Sequence, residues 1–542
     1  MQQSFFGLNV ALSGLYTAQR NLDVVGHNLS NATTPGYSRQ QSIQSASNPL
    51  AVLDGTGMVG TGSQATGVQR IRDTYLDFKY WSENVANGEW SKKAELMGEI
   101  QVTFNEPSKS GFVKIMDGFF DSLQELSKDP SSGAARALVV QKATTLTKYF
   151  NNTATHFEQF QNDINDQVKT DVDQINIIAS QIQLLNKQIY NYELTGGTAN
   201  DLRDSRTLLV DQLSKLANIQ AKEITYGKLP NGDDDIHFQI TLGGKTLVDH
   251  FSSTKLTVIQ RNTKLNEEDI GNLYDIKWED GNTVNISGGE LRGLLDVRDG
   301  KDGIDGTPIY KGVPYYQKKL NEFVQTFAIA FNEGYTKNNS GGYDDTGVGH
   351  VDGYGYDPDL TDAPHEIRFF TMLGVGDTPI SSADLIAGVT VGEADPDYIN
   401  QVANKYNQIT AKNFSVSSDI INDANNIATS DADGQNGNSN TLKKLMGIRA
   451  NQSLFKEGAP EDFMKSLVAG MGIDAQQAET FANTQVALVK QVDNRRMSVS
   501  GVNLNEEMTN MVKFQQSYNA AARMIVTMGE IYDTLINKLG VG

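Results

Sequence analysis

At 542 residues the chain is too long for one ordinary hydrophobic core, so roughly two to four domains are expected. Its 46 lysines and arginines stand against 66 aspartates and glutamates, and this formal charge of −20 has the wrong sign for nucleic-acid phosphates or an anionic membrane. There is no cysteine, which excludes disulfides and thiolate metal sites; no apolar run nears the roughly 20 residues of a spanning helix; and no basic-then-apolar start suggests a cleaved secretory signal.

The first predicted element is a helix. Leu8, Leu12, Leu15, Leu22, Val25 and Leu29 recur at spacings of three and four, with a gap around Gln19. Such a stripe is one face of an α-helix that must bury itself against something. The first fifty residues carry only Arg20, Asp23 and Arg39 as charges, so this helix is expected to meet neighbours on more than one side. It ends in Asn28-Leu29-Ser30-Asn31-Ala32-Thr33-Thr34-Pro35-Gly36-Tyr37-Ser38-Arg39. There Pro35 disfavours helical geometry at Thr34, and Gly36 accepts a positive φ.

A stretch rich in Gly, Ser, Thr and Gln (41–67) leads to a helix marked by Ile71, Tyr75, Phe78, Trp81 and Val85. Phe112, Met116, Phe119, Leu123 and Leu126 mark another, stopped by Asp129-Pro130. From Val139 to Tyr192 the three/four spacing persists, with a phase slip near Ile164 to Val168, until Gly196-Gly197 break it. Leu202, Leu209, Leu213 and Leu216 then return, which predicts a long antiparallel α-hairpin over 133–217. From Ile219 the period becomes two: Ile236, Phe238, Ile240 and Leu242, a Gly243-Gly244 turn, then Lys245–Asp249, a β-hairpin. Ile276 and Trp278, Asp280-Gly281, then Val284 and Ile286 predict a second. Helix resumes at Gly288–Leu295 and over Tyr316, Leu320, Phe323, Phe327 and Ala330. Residues 338–410 are dominated by Gly, Asp, Asn and Tyr, as in Gly353-Tyr354-Gly355-Tyr356, and predict a small outer β-rich insertion that a short linker could replace. Helical patterning returns at Asn440–Met446 and from Phe463 to Val489.

The last element is an uninterrupted stripe of Leu504, Met508, Met511, Phe514, Tyr518, Ala521, Ile525, Met528, Tyr532, Leu535 and Leu539. Asn503 with Glu506 reads as a capping box, Glu506 and Glu507 suit the first turn, and Lys538 and Gly540 suit the other end. At about 1.5 Å per residue the helix would run roughly 50 Å.

The run Asn28, Asn31, Thr34, Pro35, Gly36, Tyr37, Ser38, Arg39 resembles the amino-terminal signature of the axial proteins of the bacterial flagellum: rod, hook and hook-associated proteins. Arg70-Ile71-Arg72-Asp73, Ser498–Met508 and Phe514–Arg523 are similar to further blocks of that family, and the resemblance covers most of the chain, thinning over 338–410. Ser38-Arg39-Gln40 and the long hairpin favour a hook-associated member at the hook–filament junction over a hook or distal-rod subunit. The resemblance implies a structural subunit exported uncleaved through the flagellar type III channel. It also implies the partners: copies of itself in a ring, the hook protein, a second junction protein, and an export chaperone before secretion. The terminal stripes, Leu8 to Leu29 and Leu504 to Leu535, would be the assembly interface, mobile in the free monomer. A reading of another class is an adhesin acting through residues 338–410.

Catalytic and metal patterns fail. His365-Glu366 lacks the second histidine of a zincin helix, since Phe369 stands in its place. Asp299, Asp302 and Asp305 have the wrong spacing for a calcium loop, Asp431-Ala432-Asp433 starts one correctly but lacks its Gly at the sixth position and Glu at the twelfth, and both read as solvated turns. No cofactor, enzymatic activity, nucleic acid or membrane is expected. The fold class expected is mainly α with β-rich insertions, an antiparallel helical rod with paired terminal helices. Its parts would be a terminal coiled coil (1–67 with 498–542), a rod body (68–337 with 411–497, including a β region at 219–290) and the outer insertion (338–410).

Overall fold

The computed structural model describes residues 6–51, 57–104, 111–228, 232, 234–337, 342–345, 347–360, 363–390 and 397–538. Leu539 and Gly540, which the sequence assigned to the last helix, lie outside these.

The first stripe is helix α1 (Phe6–Ser30). The polar stretch after it holds strands β1 (Gln40–Ala46), β2 (Leu50–Ala51), β3 (Met58–Val59) and β4 (Ser63–Arg70). β1 pairs antiparallel with β4, from Gln40 opposite Arg70 to Ala46 opposite Ser63. This ribbon lies on α1, where the Thr17 hydroxyl donates to the Ser63 carbonyl at 3.1 Å. Its small polar side chains let the backbone approach that closely.

Helices α2 (Thr74–Phe104), α3 (Phe112–Lys128), α4 (Gly133–Glu193) and α5 (Asn200–Leu216) follow. The predicted long hairpin is α4 returning through α5, with α4 a single helix of 61 residues whose first turn is capped by Ser132. It buries the expected stripe, Val139, Leu146, Phe150, Phe157, Ile164, Val172 and Ile182 among others. The face expected of α2 is corrected: Trp81 is buried, but Tyr75 is 68% exposed and Phe78 also faces out. Polar and small residues make the contact instead. A Cβ on Gly88 would meet the Lys215 carbonyl of α5 at 2.1 Å, and Lys93 bridges to Asp296 at 2.7 Å.

Strands β5 (Ile219–Lys228), β6 (Asp234–Leu242), β7 (Lys245–Asp249) and β8 (Ser252–Ser253) form one antiparallel sheet in that order. The first predicted hairpin is β6 with β7. The second is corrected: β9 (Leu256–Gln260) pairs with β10 (Tyr274–Trp278). The predicted return after Asp280-Gly281 is present as a short antiparallel turn, where the Val284 amide donates to the Ile276 carbonyl at 3.4 Å beside a Lys277–Thr283 bridge, but it builds no strand of its own. Leu256-Thr257-Val258-Ile259 supplies the β-prone partner from the other side.

Helices α6 (Glu290–Asp299) and α7 (Val313–Glu333) complete the middle of the rod. Asp299 is not a solvated turn residue, because it is buried against Arg298 and Arg261, each within 2.8 Å. Next come β11 (Tyr335–Lys337), β12 (Tyr343–Asp345), β13 (Phe370–Met372), α8 (Ser382–Leu385), α9 (Tyr398–Tyr406), β14 (Phe414–Val416), α10 (Ser418–Asn422) and α11 (Asn440–Met446). The described residues of 338–410 thus carry less strand than expected, and they are welded to the body. Phe369 lies 5.3 Å from Phe331, and Phe370 lies 5.5 Å from Phe327, ring to ring. The buried Arg368 pairs with Glu333 at the end of α7, whose carboxylate also accepts from Tyr406 at 2.7 Å. Clustered aromatics without helical period gave no sign of this docking.

Helix α12 (Pro460–Ser500) runs antiparallel to α2, for Phe481 meets Trp90 and Arg496 reaches Asp77 at 3.5 Å. Helix α13 (Leu504–Asp533) comes last and closes with a π-helical turn over Thr534–Lys538. Asn503 caps it, accepting from the Asn505 and Glu506 amides. Glu506 does not complete a capping box; its carboxylate turns to Arg39.

Candidate functional site: the terminal helix pair and its joint

Helices α1 and α13 pair antiparallel and in step. Gly7 faces Met528, Gly14 faces Ala521, and Asn28 bonds Glu507. A Cβ on Gly7 would meet Met528 Cε at 2.9 Å, so the glycine is what lets the large side chain lie across the helix. Along α13 the half-buried side chains facing α1 are Phe514, Tyr518, Ala521, Ile525, Met528 and Tyr532. The rest of the stripe flanks this line: Leu504, Met508 and Met511 on one side, Leu535 with Met524 and Ile531 on the other. Met508 is 46% and Leu535 52% exposed. In α1 the deeply buried residues are Ala11, Thr17, Ala18, Asn21, Val24, Val25 and Asn28. Of the predicted stripe, Val25 is buried, Leu8, Leu15 and Leu22 are half-buried, and Leu12 and Leu29 are exposed. Close helix contact favours small residues on the line of approach, which pushes the leucines to its edges. Ala11, Ala18, Val24 and Val25 do not join the body's continuous core, so the pair stands apart from it.

The motif after α1 is more than a helix stop. Gly36 holds φ +77° against Leu208 of α5, a conformation costly for any side chain. The Asn28 amide donates to the Gln40 carbonyl and to Glu507 at 2.8 and 3.2 Å, and its oxygen accepts from the Gln40 amide and the Tyr37 hydroxyl, both at 2.8 Å. Asn31 donates back to the His27 carbonyl, and Thr34 donates to Asn31. Ser38 donates to Asp204 of α5 through both its amide and its hydroxyl at 2.7 Å. Arg39 spans to α13, reaching Glu507 at 2.7 Å and Glu506 at 2.8 Å, while its amide donates to the Ser500 carbonyl. Pro35 lines the open side of this joint beside Leu208.

The lock continues into the body. Arg70 reaches Asp204 at 2.9 Å; Arg72 donates to Ser38 and forks onto Asp77; Arg496 forks onto Asp211, which also accepts from Trp81 Nε1 at 2.6 Å. Burial pushes the Asp211 carboxyl up, and the bonds from Arg496 and Trp81 work against that. Paired arginine forks of this kind fix angle as well as distance. Asp204, Asp211, Glu507 and Arg496 were not singled out in the sequence as joint residues. The one local signal was the spacing of Asp204 and Asp211, a heptad apart on one face of α5.

Other candidates are not brought together. The backbone at Glu366 has φ +57°, so His365 sits on no helix. Asp431 accepts from Asn438 and Asn440 at the surface. Among the described residues no group of three or more His, Asp or Glu could hold a metal ion, and no helix is long and apolar enough to cross a membrane.

Three family models match the chain: the flagellar hook-associated protein FlgK helical domain over residues 97–348, the flagellar basal body rod FlgEFG protein C-terminal over 494–539, and the flagella basal body rod protein over 8–37. The chain is 28% identical over its whole length to flagellar hook-associated protein 1 of Bacillus subtilis, covering all of that protein. It is 27% identical to the Escherichia coli protein of the same description, over 98% of this chain and 99% of that one. In fold it is similar to the flagellar hook junction protein from Burkholderia pseudomallei, with a TM-score of 0.54 at 15% identity, across 79% of this chain and all of that one.

Proposed function

The chain belongs to the flagellar hook-associated protein 1 family, structural and non-enzymatic subunits of the extracellular flagellum at the hook–filament junction; from that premise we propose that its terminal helix pair is the surface through which copies join. The observation that carries this is the α1/α13 pair, which stands outside the body's core and leaves apolar flanks on both sides of its contact line. A helix pair exposed on two flanks is half of a larger bundle, and a ring of identical subunits supplies the missing neighbours. In that ring the pair would line the inner tube and the helical body would face outward. The hook protein and a second junction protein would cap the ring above and below, and an export chaperone would cover the apolar flanks before passage through the flagellar type III channel. The welded joint suits the work of passing bending from a flexible hook to a stiffer filament, because arginine forks resist a change of angle.

Gold-labelled antibody on intact flagella tests the reading. A single band where hook meets filament is expected. Label along the hook or rod would instead make the chain an axial subunit of those parts. Label reaching host material through residues 338–410 would make it an adhesin.

A further inference from the structure

The joint contains one titratable group whose proton positions the hydrogen-bond network dictates. The Gln40 amide can only donate and its carbonyl can only accept, so the two bonds to Asn28 fix which end of that side chain is oxygen. Asn28 Oδ1 is therefore the acceptor of the Tyr37 hydroxyl at 2.8 Å. Burial first, then Asp201, Asp204 and Glu507, push the Tyr37 hydroxyl up, so it keeps its hydrogen. That hydrogen is spent on Asn28. The second contact of the hydroxyl, to His27 Nδ1 at 3.0 Å, must then be donated by the imidazole. Nδ1 carries a hydrogen in every protonation state, and the site that gains or loses a proton is Nε2. Nε2 lies 3.7 Å from Asp201 Oδ2 on α5, and the other oxygen of that carboxylate already holds Gln40 Nε2 at 2.6 Å.

We infer that His27 is a protonation-operated latch between the end of α1 and α5. Neutral, it presents a lone pair to a carboxylate, which is no bond. Cationic, it presents an N–H and closes an ion pair that ties α1, β1 and α5 at one point. A cation is also favoured in the last turn of α1, where the carbonyl ends of the helix gather. The groups around it are Asp23 one turn earlier on α1, Tyr37 on the loop, Asp201 and Asp204 on α5, and Glu507 on α13. The nearby cations are engaged elsewhere, Arg70 and Arg72 on Asp204 and Arg39 on Glu506 and Glu507. The ring is reached from solvent through an open cavity of about 220 Å³ lined by His27, Pro35, Tyr37, Asp201, Ser205 and Leu208. The latch belongs to the free chain, so it stands or falls apart from the ring.

The test uses the full chain with ¹⁵N-labelled histidine, His27→Asn identifying the signal. The expected result is an unprotonated Nε2 and a protonated Nδ1 in the neutral ring. A neutral ring protonated on Nε2 overturns the proposal. Closure is read from tryptic cleavage after Arg39, as the ratio of the His27→Asn rate to the wild-type rate, in which the protease's own pH dependence cancels. That ratio should be several-fold larger at about pH 6 than at about pH 8. A ratio that does not change with pH shows that the proton does not latch the joint.

Discussion

The carboxyl of Asp171, buried on α4, is pushed up to about 7 by its burial and by Glu290, with Lys92 and Lys215 pulling the other way. Its Oδ2 has no hydrogen-bond partner among the described residues. The unfolded chain loses this proton near 3.8 and the folded chain near 7, so the folded state binds it more tightly between those values. Its contribution to stability is complete below about pH 4 and falls away as pH rises through 7. Asp171→Asn should flatten that decline and raise the melting temperature at about pH 8 by several degrees; an unchanged pH profile refutes it. At the joint, two neighbouring acids differ sharply. Glu507 is 1% exposed and serves both Arg39 and Asn28, whereas Glu506 is mostly exposed. Glu507→Ala removes the acceptor of a buried Asn28 N–H and of the half-buried Arg39 Nε and should weaken the joint by about 1–3 kcal/mol. Glu506→Ala should cost at most about 1 kcal/mol. Cleavage after Arg39 measures both, and equal effects would mean that burial does not set the strength of the lock.

Among elements, α13 has two kinds of surface, and substitutions can separate them. Tyr518→Asp and Ile525→Asp put a carboxylate on the line facing α1, at a cost of several kcal/mol, and should part the pair. Met508→Asp and Met524→Asp sit on the flanks and should leave the pair's helicity intact while abolishing self-association. Arg523→Glu, roughly half a helical turn from Ile525, is the control and should do neither. Circular dichroism and sedimentation read the two effects. If the flank variants associate normally, those flanks are not the seam between copies. The segment 338–410 gives the opposite lesson to its composition. Replacing it with a short linker would uncover Phe119, Phe327 and Phe331, which Phe369 and Phe370 now cover. Such a variant should be insoluble or melt many degrees lower; a well-folded soluble product would show that the segment only rests on the body.

For the molecule as a whole, charge is divided unevenly. The terminal segments 1–67 and 498–542 carry five basic and six acidic side chains, which leaves 41 basic and 60 acidic, a formal −19, on the residues between. Copies drawn together by apolar terminal flanks must therefore bring acidic bodies alongside one another. Screening shortens that repulsion from about 10 Å at 0.1 M salt to about 3 Å at 1 M. Self-association should accordingly strengthen as salt rises across that range, the reverse of an assembly held by charge pairs. Light scattering of the purified chain decides it, and weakening with salt would place the seam in ionic contacts.

Periodic patterns are local, and local patterns were legible: the terminal stripes, the 61-residue helix α4 with its return through α5, and the β6/β7 hairpin all follow from spacing within a few turns or strands. So did the stop at Pro35-Gly36, because a proline's fixed φ and a glycine's freedom need no distant partner. What the tertiary structure decided is whatever depends on residues far apart in the chain. Asn28 and Glu507 are separated by 479 positions, and nothing near either announces the other. Which edge of each stripe is buried was likewise settled by the partner: Ala11 and Ala18 take the contact line and Leu12 and Leu29 the open edge, because close approach selects small side chains over apolar ones. Phe369 and Phe370 lie in a stretch with no period to read, and only the aromatic pocket between α3 and α7 gives them a place. Sequence determined most of the elements and the apolar stripes they carry; the fold chose the buried edges and the partners, since complementarity of shape and charge belongs to two surfaces at once.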